Sequence, residues 1–120
     1  VTGLQFRTGA PVPTAVTEEA ISGLPAQIAL QQNYPNPFNA NTVIDYLLPA
    51  DVAGRSIRLD IFDLAGQRIR TLAQRGARAG WHHKVWDGRD ESGAEVASGL
   101  YMYRLQVGDR VEARKMMLMR

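Results

Sequence analysis

From Ile28 to Arg120 the chain is a succession of short apolar runs parted by turn residues, with no proline after Pro49. A period of two is the signature of strands, because successive side chains of a strand point to opposite faces. Ser56 to Asp63 shows it most clearly: Ile57, Leu59 and Ile61 are expected inward, and Arg58, Asp60 and Phe62 outward. Thr42 to Leu48 alternates likewise, with Ile44, Tyr46 and Leu48 on one face, and Pro49 ends it because proline cannot donate to a ladder. Gly99 to Val107 places Tyr101, Tyr103, Leu105 and Val107 together. The remaining strands are expected over Ile28 to Asn33, Gln67 to Ala73, Trp81 to Trp86 and Arg110 to Arg120. Asp63-Leu64-Ala65-Gly66 has the chemistry of a tight turn, and Gly108-Asp109 that of a two-residue II′ hairpin. Seven short strands with turns at this spacing predict an all-β fold, a seven-stranded immunoglobulin-like antiparallel β-sandwich.

The first 27 residues follow another pattern. Pro11, Pro13 and Pro25 stand among small residues and threonines with little periodicity, so residues 1–27 are expected to be a linker from a preceding domain and 28–120 the folded unit. Val1 to Phe6 fits the tail of an earlier strand, and Thr17 to Ile21 one helical turn. The chain begins without Met or a charged-then-apolar leader, and is expected to be part of a longer exported protein. Residues 1–49 hold one Arg against three acids, and residues 50–120 the other 13 cations against nine acids. A net charge of +2, with arginines interleaved among Asp and Glu, is too weak for a nucleic-acid platform. The chain has no Cys, which removes disulfides, thiolate zinc sites and cysteine nucleophiles. Ser22, Ser56, Ser92 and Ser98 lack a nucleophile context, so no catalytic residue is assigned and no enzyme is expected.

Several clusters have two readings. Asn33, Pro35, Asn36, Pro37 and Phe38 read as a recognition loop or, preferably, as an extended segment whose Tyr34 and Phe38 plug the core. Asp87, Asp90, Glu91 and Glu95 are weak calcium candidates, because Arg89 occupies a position where the EF-hand spacing needs a ligand; Asp-Gly turn chemistry is the simpler account. Adjacent His82 and His83 point to opposite strand faces and cannot share a metal. Trp86 beside Asp87-Gly88 is assigned to the core, whereas Trp81 is a candidate sugar platform. Met116, Met117, Leu118 and Met119 are apolar on both strand faces, so the last strand is either covered twice or is an edge that a partner extends.

Five stretches carry a resemblance. They are Leu30 to Asn39 with Thr42 to Pro49; Ile61 to Gln67; Ala79 to His82 with Trp86 to Gly93; Val96 to Leu105; and Arg114 to Arg120. Together they resemble the C-terminal sorting domain, type A, of cargo of the type IX (Por) secretion system of Gram-negative bacteria, a pattern shared with the Ig-like domain of flagellar hook-capping proteins. The resemblance covers residues 28–120 and departs from the pattern at Ala40 and Lys84, the latter implying a wetter inward face. It implies a non-enzymatic module that directs a larger protein through the periplasm and the outer-membrane machinery, with its sortase-like component, to the cell surface. Lipopolysaccharide attached to the cargo, a monomeric state and no cofactor are further implications. It assigns Gly99, Tyr101, Lys115, Met116, Met117, Leu118, Met119 and Arg120 to recognition, and Asn33, Pro35, Asn36, Pro37, Phe38, Asp63, Gly66, Trp86, Asp87 and Gly88 to the structural motif. The alternatives are a structural Ig-like module for inter-domain or hook-cap-like assembly, and a carbohydrate-binding accessory domain using Trp81 with the Asp87 to Gly93 loop.

Overall fold

A computed structural model describes residues 27–120. The expected linker, first strand tail and helical turn lie outside the described residues. The seven strands are β1 (Ala29–Leu30), β2 (Thr42–Leu48), β3 (Ser56–Asp63), β4 (Arg68–Gly76), β5 (Gly80–Trp86), β6 (Gly99–Val107) and β7 (Arg110–Leu118), with one 3-10 turn at Ala50–Val52. They form two antiparallel sheets, β1-β2-β5 and β4-β3-β6-β7. The expected sandwich is the observed one.

Alternation decides what lies between the sheets. Ile44, Tyr46 and Leu48 of β2 face Ile57, Leu59 and Ile61 of β3 and Tyr103, Leu105 and Val107 of β6 in one buried cluster. Trp86 is its largest member, with ring centroids 5.7 Å from Phe38 and 5.4 Å from Tyr101. Such tilted and edge-on contacts match the positive ring edge of one aromatic to the negative face of another. Tyr103 ties the layers together: its hydroxyl donates to the Gln31 carbonyl (2.7 Å) and accepts from the Asn33 amide (2.8 Å).

Three expectations need correction. The first strand shrinks to Ala29–Leu30, after which the chain meets β2 again at an isolated Tyr34–Val43 bridge. The backbone bends between Tyr34 and Asn39 rather than running extended, and the Tyr34–Pro35 and Asn36–Pro37 peptide bonds are cis. Of the two expected plugs, Phe38 is 2% exposed but Tyr34 is 52% exposed. Finally, Asp60 points outward from β3 yet is buried, because central-strand neighbours cover it: Arg58 Nε lies 3.2 Å away and the Thr71 hydroxyl donates to it at 2.7 Å.

Candidate interaction surface

The hairpin β6–β7 organises the surface that the sequence marks for recognition. Gly108, at φ +62°, makes its turn, and Asp109 keeps a negative φ, as a II′ turn requires. The register pairs Gly99 with Leu118, Leu100 with Met117, Tyr101 with Met116 and Met102 with Lys115. Alternation then sorts the candidates. Tyr101, Met116 and Leu118 point into the core, and the Tyr101 hydroxyl donates to the Ala97 carbonyl at 2.6 Å. Leu100 and Lys115 are exposed, Met102 and Met117 are half-buried, and Met119 is 56% exposed. Neighbouring β3 adds Phe62, paired with Met102. The Arg104 guanidinium lies over the Phe62 ring, 4.7 Å from its centroid, and both line a shallow hollow of about 160 Å³ with Met102 and Gly66. The outer face of the large sheet therefore carries an apolar band edged by Lys115.

Arg120 turns back into the fold. Its guanidinium donates to the Val96 and Gly88 carbonyls at 2.8 and 2.6 Å, and its amide to the Ser98 hydroxyl at 2.9 Å. Gly88 stands at φ +72°, which favours glycine, and a Cβ there would also displace the Arg120 guanidinium, 2.7 Å away. Gly88 and Arg120 thus meet in one contact.

The structural motif residues hold loops. The buried Asn33 side-chain amide Nδ2 donates to Thr42 Oγ1 (2.9 Å) and to the Pro35 carbonyl (3.2 Å). Asp63 Oδ1 accepts from the Ala65 and Gln67 amides, and Gly66 closes that turn at φ +86°. Pro37 carries the chain to Phe38, which lies along the rim of β7: its amide donates to the Met117 carbonyl (3.0 Å), and its carbonyl accepts from Met119 (2.8 Å). Asn36 Oδ1 accepts the Met117 amide at 2.9 Å. The Met117–Met119 edge is thus already occupied by this chain's own 36–38 segment and is no vacant site for strand addition. The Gly99–Leu100 side of the band stays open to side-chain contact.

The calcium candidates close their loop instead of converging. Asp87 accepts from Arg70 and the Arg89 amide, Glu91 from the Thr71 amide, and Glu95 pairs with Arg89 and Arg120. The hydroxyl of Ser92 and the amides of Ala94 and Ser92 hold the Asp90 carboxyl below the usual carboxylate range. No group of three potential metal ligands meets among the described residues. On the outer face of the small sheet, Asp45 accepts from the Tyr34 hydroxyl (3.0 Å) and from His83 Nδ1 (2.5 Å), an arrangement the sequence reading missed because Tyr34 was assigned to the core. Trp81, 53% exposed, starts β5, whereas the Asp87 to Gly93 loop follows its end. At about 3.3 Å per residue that strand separates them by roughly 20 Å, too far to form one sugar site.

The strand order and packing define an Ig-like β-sandwich module. The sequence model of the FlgD Ig-like domain matches residues 39–110, more than half of the chain, and the chain belongs to that family. No curated protein matches it. Among solved structures it is similar to dimeric latent PorU from Porphyromonas gingivalis, with 18% identity over 79% of this chain and 9% of that one and a TM-score of 0.60. It is also similar to PorZ, an essential bacterial surface component of the type-IX secretion system of Porphyromonas gingivalis, with 23% identity over 78% of this chain and 11% of that one and a TM-score of 0.48. The chain thus spans about a tenth of each of these proteins.

Proposed function

We propose that this domain is a non-enzymatic sorting and anchoring module that directs a larger exported protein through the type IX secretion machinery to the cell surface. The observation that carries the reading is the apolar band of Leu100, Met102, Met117 and Met119 beside Lys115, presented by a hairpin whose inner residues are locked in the core. Half-buried Met102 and Met117 with exposed Met119 suit a protein partner, because Met adapts to varied surfaces. The band, rather than a free strand edge, would meet the outer-membrane receptor. The sequence resemblance to type A sorting domains supports the same role.

The test fuses the domain to a periplasmic reporter in a type IX-competent host. The wild-type fusion is expected at the cell surface. Leu100→Asp with Met119→Asp is expected to reduce surface reporter at least tenfold while the thermal midpoint stays within a few degrees, since both side chains are already exposed. A wild-type reporter retained in the periplasm, or a double variant exported normally, overturns the proposal. Membership in the FlgD Ig-like family favours a second reading, a structural module packing on a neighbouring domain. That reading predicts that the band is covered in the parent protein, which hydrogen exchange of the longer chain detects.

A further inference from the structure

Along one side of the sandwich the two sheets end on different strands. β4 closes the large sheet and β5 the small one, so no ladder joins them. Between them opens a cleft of about 320 Å³. Its apolar wall includes Tyr46 and Leu72, and its polar lining includes Arg75, Arg78, His82 and Lys84, with no Asp or Glu.

Three features show that this cationic cluster is built into the fold. Alternation along β5 turns Lys84 inward between His82 and Trp86. The His82 ring stacks on Tyr46 with centroids 5.1 Å apart, and its Nε2 donates to the Arg78 carbonyl at 2.8 Å, which ties the β4–β5 connection to the cleft. Arg75 stands at φ +134°, a backbone conformation that side chains rarely adopt. Among the described residues Arg75, Arg78 and Lys84 face no carboxylate, as is also true of Arg55, Arg68, Arg104, Arg114 and Lys115, but these three line one cleft. Three like charges gathered without a counter-charge repel one another, and an anion relieves that repulsion.

We propose that this cleft binds a small phosphorylated ligand, with a phosphomonoester among the cations and a sugar-sized body against the His82 and Leu72 side chains. Two guanidiniums and an ammonium match a dianion and its three peripheral oxygens better than a single carboxylate. The volume is at the small end of ligand pockets, which suits one sugar unit.

Calorimetry on the 120-residue chain tests this with glucose 1-phosphate, inorganic phosphate and vesicles containing phosphatidic acid. Saturable binding of glucose 1-phosphate with Kd at or below about 1 mM is expected. Lys84→Gln and Arg78→Gln are each expected to weaken it about tenfold, while Arg68→Gln, at the far end of β4, changes it less than twofold. Equal affinity for inorganic phosphate assigns the site to the phosphate alone, and binding only to vesicles assigns it to a lipid headgroup; the phosphate site stands in both cases if the Lys84 and Arg78 effects hold. Absence of saturable binding to all three probes overturns it, as does a loss with Arg68→Gln equal to that with Lys84→Gln.

Discussion

Tyr103 shows how one side chain can tie a loop to the opposite sheet. Its ring is buried in β6, and its hydroxyl is both donor to Gln31 and acceptor from Asn33. Tyr103→Phe leaves both backbone groups without that partner, at an expected cost of about 1–3 kcal/mol. Burial pushes the Tyr103 phenol up to about 12 from its ordinary 10.0. The folded state therefore favours the neutral phenol. The linked stability is complete below pH 10 and is lost as pH rises through 12. Urea midpoints measured from pH 8 upward should show the wild-type advantage over Tyr103→Phe shrinking across that window. The alternation in β6 announced that Tyr103 points inward. Its partners, some 70 residues away in sequence, could not be read there. Asp60 points outward as alternation requires, but period two assigns only a face of the sheet, and whether that face is covered depends on neighbours from other strands.

Edges are managed element by element. β7 ends on the apolar run Met116 to Leu118 at a sheet edge, and the 36–38 segment seals that end. Glu112 and Arg114 of β7 reach across the sandwich to the Leu30 amide (3.2 Å) and carbonyl (2.6 Å), closing the free edge of β1. β4 is irregular: its pairing with β3 skips Leu72 and Ile69, two bulges that turn these apolar side chains toward the core. Glu91 then occupies the Ile69 carbonyl and Thr71 amide. β5 pairs only with β2, and Lys84 points inward from it. An inward charge on an edge strand discourages pairing with another sheet. The departure at Lys84 thus has a physical account. Lys84→Val should raise the thermal midpoint by a few degrees, as apolar surface replaces a half-buried ammonium, and should also promote self-association. Light scattering across a concentration series checks this; a variant that stays as monodisperse as the wild type removes the guarding role.

At the scale of the whole molecule, both sheets close on the Phe38–Trp86–Tyr101 group, and Ile28, just before β1, and Leu30 within it join the same core. We propose on that ground that the folded unit begins near residue 27. A chain beginning at Gln27 should unfold within about 2 °C of the full chain, because such a change corresponds to a fraction of 1 kcal/mol in a domain of this size. One beginning at Gln31 loses two buried aliphatic side chains, each costing about 2–5 kcal/mol, and should not fold stably. Circular dichroism melts of the three chains decide the matter. Equal melts for all three would place Ile28 and Leu30 outside the cooperative unit.

The sequence by itself determined the strands, most of their inward faces and the hairpin turns. Those follow from period-two alternation and the backbone freedom of Gly66 and Gly108, which are local properties of the chain. It also carried the family pattern, since motifs such as Asn33 to Phe38 and Trp86 to Gly88 are contiguous. Tertiary structure alone decided that Phe38 guards β7, that Arg120 answers Gly88, and that Arg75, Arg78 and Lys84 surround one cleft. In each case the partners are far apart in sequence or belong to different strands. Only the packing of one sheet on the other, with its particular register, brings them within reach.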